Sequence, residues 1–285
     1  MQPSPISQTL NDLAVSVVLH FSPLEQLQAL LDSLSNAAVE AELSRVEVIF
    51  VDHSCDVDYV ASCQAFIEAY GVQTVGENGL QLSLLKPEAN RGYGAGHNLA
   101  MAEVESQFHL ILNPDVELAR DSLKLALGTL RNQHDIGLLA PQGFSPSGEP
   151  EFLAKAYPSV WVLGLRALAP HWFKIRSGGA LARYEMRDMP NETTLRPITL
   201  ASGCCMWVRR AVFDSVGGFD ESYFLYFEDH DLSLKLASQG TVMEHQDIRI
   251  VHHGGGASRK GFQHIRWFVG AGARFFNRWG WRWFG

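Results

Sequence analysis

Three carboxylates, Glu228, Asp229 and Asp231, follow directly on a bulky run, Tyr223-Phe224-Leu225-Tyr226-Phe227, which itself follows the pair Gly217-Gly218. Leu232 and Leu236 come next at helical spacing, and Gly240 closes the segment. Acids in the first turn of a helix favour the macrodipole and cap free N–H groups, which accounts for one or two of them. Capping needs neither a glycine hinge nor five bulky residues beforehand. The pattern therefore points to a carboxylate held where solvent is limited, able to act as a general base.

Three other stretches carry chemistry-bearing residues. Asn90-Arg91-Gly92-Tyr93-Gly94-Ala95-Gly96-His97-Asn98 is a glycine-rich loop entering a helix, where bare backbone can approach a ligand and the helix N-terminus favours phosphate. It is neither the Rossmann fingerprint, since it follows the third strand, nor a P-loop, since it lacks Gly-Lys-Ser/Thr; taken alone, such a loop is more often just a turn. Asn113-Pro114-Asp115 ends a buried strand. A lone carboxylate there is ordinary, but beside a diphosphate it becomes a natural Mg²⁺ or Mn²⁺ ligand, because hard cations take oxygen and share phosphate oxygens. Val251-His252-His253-Gly254 sets histidine at another strand end, where a structural role is the commoner one.

The elements that must position these groups alternate. Strands are predicted at Val15–Phe21, Val46–Val51, Leu82–Leu85, Phe108–Leu112 and Ile136–Ala140. Helices are predicted from Pro23 (Leu24, Leu27, Leu30, Leu31 and Leu34 at three- and four-residue steps), at Tyr59–Tyr70, at Ala95–Glu103 and at Ser122–Arg131. Such alternation implies an α/β fold with a mainly parallel central sheet flanked by helices, and ligands at the carboxyl ends of its strands. His20, Phe21, Asp52 and Asp115 all sit at such ends.

From Gly143 to Pro197 the chain is richer in Pro, Gly, Arg and aromatics, with a helix at Ser159–Leu168, a polar loop over Arg183–Pro197, and the character of a specificity insertion. Leu200–Val208 returns to strand character and Arg209–Val216 is a short helix. Residues 13–142 and 143–258 read as two halves of one domain, followed by a tail over 259–285.

The 285 residues carry a net charge of −8, which argues against nucleic-acid binding. Cys55, Cys63, Cys204 and Cys205 form no CxxC pair and have no zinc spacing, which implies a reducing compartment. Met1–Asp12 lacks the features of a signal peptide, and no run approaches a membrane span. The expectation is a cytoplasmic protein, or one peripheral on the inner face of the cytoplasmic membrane. From His252 onward there is no acid, while Arg259, Lys260, Arg266, Arg274, Arg278 and Arg282 accompany Trp267, Trp279, Trp281 and Trp283. A helix over Gly261–Trp283 could pack on the sheet or lie against anionic lipid.

Five blocks in order resemble the inverting glycosyltransferases of family 2, with the GT-A fold, over roughly Val15 to Trp281. They are Val-Ser-Val-Val-Leu-His-Phe with Val-Asp52-His-Ser; Asn90-x-Gly-Tyr-Gly-x-Gly-x-Asn98; Leu-Asn113-Pro-Asp115-Val; Ser-Gly203-Cys-Cys-Met through Gly-Gly-Phe-Asp-Glu to Glu228-Asp229-His-Asp231; and His252–Ser258. Within the family the chain is most similar to bacterial rhamnosyltransferases that build surface polysaccharides.

The resemblance implies roles. Asp52, near His20 and Phe21, would contact the nucleotide base. Asn90, Arg91, Gly92, Gly94, Asn98 and Asn113 would surround the donor ribose and diphosphate. Asp115 and His252 would hold a divalent cation, Mg²⁺ or Mn²⁺. Asp229 looks like the general base, with Glu228 orienting it or the acceptor, Asp231 serving the helix start, and Tyr223, Tyr226 and Phe227 forming an acceptor wall. The sequence departs from the family at Asn113, where the DxD motif begins with Asp, at Ser22, where many relatives carry Asn, and at His53, in place of the usual Asn.

The expected reaction is transfer of a deoxysugar, L-rhamnose from dTDP-rhamnose, to a hydroxyl of a lipid-linked or surface glycan. Another donor such as a UDP-hexose, or a non-catalytic glycan- or nucleotide-binding homologue, stands as the alternative. Which histidine binds metal, and whether the chain forms a homodimer, stay open.

Overall fold

A computed structural model of the chain describes residues 11–73, 79–168, 178–187, 193–254 and 262–284. The residues before 11, the end of the His252–Ser258 block and the first residues of the tail lie outside them. The first half runs β1 (Asn11–Leu19), α1 (Leu24–Glu40), β2 (Val46–Asp52), α2 (Val57–Gln73), β3 (Leu80–Leu85), α3 (Tyr93–Ala102), β4 (Ser106–Leu112), β5 (Val116–Leu118), α4 (Ser122–Asn132) and β6 (Ile136–Phe144). The second half adds β7 (Pro150–Glu151), β8 (Ala154–Lys155), α5 (Val160–Leu168), α6 (Gly178–Tyr184), β9 (Leu195–Pro197), β10 (Leu200–Ala201), β11 (Cys205–Arg209), α7 (Arg210–Ser215), α8 (Glu228–Ala237), β12 (Thr241–His252) and α9 (Phe262–Trp279).

The main sheet has the order β3-β2-β1-β4-β11-β6-β12-β5. Its β3-β2-β1-β4 portion is parallel, as is the pair β6-β12. Between them β11 runs antiparallel to both neighbours. Strand alternation sorts side chains onto the two faces. In β1, Leu13, Val15, Val17 and Leu19 join a core with Leu27, Leu30, Leu31 and Leu34 of α1, all fully buried. Ala14 packs on the other side with Ile49, Val51 and Ala100. Each buried leucine of that core stabilises the fold by about 1.5–3 kcal/mol.

One polar residue interrupts this pattern. The Ser16 hydroxyl meets His97 Nδ1 at 2.6 Å and His109 Nε2 at 2.9 Å, joining α3 to two strands in the interior. Burial pushes His97 down to about 3 and holds His109 well below its ordinary value, so both stay neutral.

Three predicted boundaries shift. The first strand stops at Leu19, because Phe21 turns through a left-handed backbone (φ 56°). The predicted strand Leu200–Val208 is split at Gly203 into β10, which pairs with β8, and β11. The expected loop over Arg183–Pro197 holds the end of α6 and the strand β9, which pairs with β12.

The antiparallel strand builds the site. Because β11 runs against β4, its first residue, Cys205, pairs with the last of β4, Leu112. Gly203 and Cys204 are thereby delivered beside Asn113–Asp115. In the same way β12 runs against β5, pairing His252 with Val116 and setting the histidine next to Asp115.

Candidate active site

Asp229 lies in the first turn of α8. Its Oδ2 accepts the backbone N–H of Gly203 at 3.0 Å, and its Oδ1 accepts the N–H of His230 at 2.8 Å and lies 2.7 Å from His230 Nδ1. The other ring nitrogen of His230 is 3.4 Å from the Tyr184 hydroxyl. Burial alone would raise the Asp229 pKa. The His230 ring and the two backbone N–H groups outweigh it and hold the carboxyl below its ordinary value. Glu228 next door is buried with an oxygen lacking a hydrogen-bond partner; burial, then the Asp229 charge, push it up. Adjacent carboxyls with pKa values driven apart divide the roles: Asp229 ionised, Glu228 protonated.

The loop before them is strained. Tyr226 and Phe227 both take left-handed backbone, φ 73° and 64°, although neither is glycine. The turn aims Glu228 and Asp229 into the site without any side-chain cap on α8. The expectation that Asp231 serves the helix start is corrected. Asp231 is fully buried, and its Oδ1 accepts Trp279 Nε1–H at 2.8 Å with Arg278 at 3.3 Å, so it fastens α9.

The acceptor wall is also corrected. Tyr223 and Phe227 are 1% and 4% exposed, covered by Phe275, Phe276 and Ala271 of α9. They seat the C-terminal helix through this aromatic cluster, whose large buried rings supply the contact area. Tyr226 stays half-buried, its hydroxyl 3.0 Å from His264 Nδ1, and Phe224 packs on Trp267 with ring centroids 4.6 Å apart. The tail therefore packs on the aromatic loop rather than on the sheet, and its helix ends at Trp279. Ile265, Val269, Trp281, Trp283 and Phe284 remain exposed. Among the described residues no helix is long and apolar enough to cross a membrane.

On the other side of the site, Asp115 Oδ1 is buried with no hydrogen-bond partner, and His252 Nε2 stands 3.5 Å away. Burial raises Asp115, but His252 outweighs it and holds the acid below its ordinary value. The His252 Nδ1 is 2.8 Å from Glu151 Oε2. His253 pairs instead with Glu117 at 2.5 Å and donates its backbone N–H to Asp115 O, so its ring is engaged away from Asp115. No three His, Cys, Asp or Glu side chains among the described residues form a ready-made metal cage. Asp115 and His252 fit a divalent cation as a two-ligand set: a buried oxygen without a partner faces an imidazole nitrogen.

Cys204 joins the halves. Its carbonyl accepts the Asn113 N–H at 2.8 Å, and its thiol, pushed up to about 12 chiefly by burial, feels the charges of Asp115, Glu151 and Asp229 alike.

The predicted donor residues divide into two groups. His20 and Phe21 are exposed just past the strand partner of Asp52. Asp52 is buried and accepts the Ser54 hydroxyl at 2.9 Å. Arg91, largely exposed, pairs with Glu221 at 2.5 Å. The other group is spent on the fold. A Cβ at Gly92 would stand 2.2 Å from Phe224 O, and one at Gly94 2.8 Å from the Phe219 Cβ. The Gly92 N–H donates to Asn90 Oδ1 and the Tyr93 N–H to Phe224 O. Asn98 donates to Phe219 O and accepts the Phe219 N–H, both at 2.9 Å. Gly92, Gly94 and Asn98 thus pack α3 closely on the 218–224 loop, with Asn90 capping the Gly92 N–H beside them.

Sequence reasoning missed Gly203, Tyr93, Glu151 and the α9 residues His264 and Trp267. His230 had a signal, since it adjoins Asp229. Gly203 stood in a motif block but nothing tied it to Asp229, 26 residues on, and Glu151 had no signal, its partner lying 101 residues away.

The glycosyl transferase family 2 model matches residues 17–217, which is more than half of the chain. The chain belongs to glycosyl transferase family 2. This family 2 glycosyltransferase is 30% identical over 258 residues to the N-acetylglucosaminyl-diphospho-decaprenol L-rhamnosyltransferase of Mycobacterium tuberculosis, covering 86% of the chain and 77% of that protein. It is 23% identical over 206 residues to the rhamnosyltransferase WbbL of Escherichia coli, covering 66% and 70%.

Among solved structures, GalNAc-T7 with UDP, GalNAc and Mn²⁺ superposes with a TM-score of 0.63 at 14% identity. The mannosyltransferase PcManGT of Pyrobaculum calidifontis, with GDP-Man and Mn²⁺, gives 0.59 at 15%. The family 2 chain is covered to 95% and 93%, but spans 48% and 63% of those chains. These likenesses establish the GT-A fold.

Proposed function

We propose that the enzyme transfers L-rhamnose from dTDP-rhamnose, with inversion, to a hydroxyl of a lipid-linked glycan. The observation that carries this reading is the Asp229 carboxylate, kept ionised by Gly203 and His230 across Cys204 from Asp115 and His252. The mycobacterial relative, named for a rhamnosyl transfer to a diphospho-decaprenol-linked sugar, supports the choice of donor and acceptor.

Asp229 takes the proton of the acceptor hydroxyl as that oxygen attacks the anomeric carbon. The bond from that carbon to the diphosphate breaks in the same displacement, and its electron pair leaves with the nucleoside diphosphate. His230 holds the Asp229 carboxylate in place, and the Gly203 N–H occupies its second oxygen. On the donor side, Phe21 and His20 offer an exposed aromatic surface for the base beside Asp52, and Arg91 lies nearby for the ribose or phosphates. Asp115 and His252 would hold Mg²⁺ or Mn²⁺. The cation, when bound, neutralises charge developing on the leaving diphosphate.

A peripheral seat on the membrane fits the exposed Trp161, Trp281, Trp283 and Phe284 together with the acid-free, arginine-bearing tail.

The test is transfer to a polyprenyl-diphosphate-linked acceptor from dTDP-rhamnose, UDP-hexoses and GDP-mannose in parallel. The proposal expects turnover with dTDP-rhamnose, loss of it in EDTA and recovery with Mn²⁺ or Mg²⁺. Turnover only with a UDP-hexose would replace the donor. Full activity in EDTA would remove the metal role of Asp115.

A further inference from the structure

Glu151 carries no sequence signal, yet it faces the candidate metal ligands. It lies in β7, paired antiparallel with β6 so that Glu151 is opposite Gly143. Its Oε2 is 2.8 Å from His252 Nδ1, and the other ring nitrogen, Nε2, faces the partnerless, buried Asp115 Oδ1 at 3.5 Å. The ring is confined on another side as well. A Cβ at Gly254 would stand 2.5 Å from His252 Cε1 and 2.7 Å from Nε2, so the imidazole lies flush against bare backbone.

A neutral imidazole carries its proton on one nitrogen only. Both ring nitrogens face carboxylates, but only Glu151, at 2.8 Å, is within firm hydrogen-bond reach, while Asp115 stands at 3.5 Å; the proton therefore sits on Nδ1 and Nε2 keeps its lone pair. We propose that Glu151 is a positioning residue: it fixes His252 in the Nδ1–H tautomer and turns the Nε2 lone pair toward a divalent cation shared with Asp115. This rests on the metal reading above and adds to it a residue outside the motif blocks. Carboxylates behind metal-binding histidines set ring orientation and ligand basicity in this way, and losing one typically costs ~10–100-fold in metal affinity.

The test is Mn²⁺ binding to the purified full chain, followed by electron paramagnetic resonance with and without a nucleoside diphosphate. It is paired with ¹⁵N spectra of His252 at a pH where the ring is neutral. E151A is expected to weaken Mn²⁺ binding by ~10–100-fold and to give mixed tautomers. E151Q, whose amide oxygen still accepts the Nδ1 proton, should keep the tautomer and most of the affinity. A folded E151A with wild-type Mn²⁺ affinity would overturn the proposal. So would an Nε2–H tautomer in the unsubstituted protein, a result that needs no variant to fold. If D115N and H252A weaken Mn²⁺ binding and E151A does not, only the role of Glu151 falls. If D115N and H252A also bind Mn²⁺ normally, the metal reading falls with it.

Discussion

Gly203 gives its backbone N–H to Asp229 Oδ2 at 3.0 Å, and its own carbonyl accepts the Tyr93 hydroxyl at 2.6 Å. A Cβ at this glycine would meet Asp229 Cβ and Tyr93 Cε1, each at 3.3 Å. Gly203→Ala should therefore push the carboxylate off its position while leaving the N–H in place. The expected outcome is a fall in kcat of roughly tenfold, the order of a small misplacement of a reacting group, with donor KM little changed. Asp229→Asn should lose about 10²–10⁴-fold in kcat. Steady-state kinetics beside thermal melts check both; an Asp229→Asn enzyme turning over at the wild-type rate would remove Asp229 as the base.

The pair Glu228 and Asp229 predicts opposite pH behaviour. Asp229, held below its ordinary value mainly because His230 overcomes its burial, contributes stability that is present above the unfolded value and lost as pH falls through the folded one. Glu228, raised by burial and by Asp229, contributes stability present below its unfolded value and lost as pH rises through its folded one. Glu228→Gln cannot titrate. Its stability relative to wild type, from urea midpoints, should therefore improve from about pH 4.5 to about 8 and level off above that. A constant difference across that range would show that Glu228 does not titrate there.

Two glycines separate necessity from chance. Gly92 has φ 98° and a Cβ would stand 2.2 Å from the Phe224 carbonyl oxygen. Gly92→Ala should cost about 1–3 kcal/mol from the backbone alone, and more from the clash. Gly128 lies inside α4 with nothing within 4 Å of its Cβ position. Gly128→Ala should stabilise by about 0.4–1 kcal/mol. Urea unfolding of both variants tests the assignment, and equal effects would contradict it.

Trp279 donates to a carboxylate with no solvent exposure, Asp231, whose second oxygen has no hydrogen-bond partner. Trp279→Phe keeps the aromatic packing and removes the donor, for an expected loss of about 1–3 kcal/mol. In a cycle with Asp231→Asn the double variant should lose less than the sum of the singles, because the two residues share one interaction. Additive losses would mean that the contact contributes nothing by itself.

Much of the fold was legible because its signals are local. The leucines of α1 at three- and four-residue steps and the apolar run of β1 state their elements without reference to the rest of the chain. Glu228, Asp229, Asp115 and His252 stood out because each ends a strand or opens a helix. The short strand β5 passed unread, as three residues are too few to show a period.

The sequence by itself determined the alternating α/β frame, the family and the acids at its strand and helix ends, since these depend on residue type and short-range spacing. Tertiary structure decided what those residues do for one another. Only antiparallel insertion of β11 between β4 and β6 brings Gly203 to Asp229 and Cys204 to Asn113. Only packing of α9 shows that Tyr223 and Phe227 are covered and that Asp231 holds Trp279 rather than a helix end. Only the pairing of both β7 and β12 with β6 sets Glu151 behind His252. Those partners are 26 to 101 residues apart in the chain, and no local pattern encodes which distant edge a strand will join.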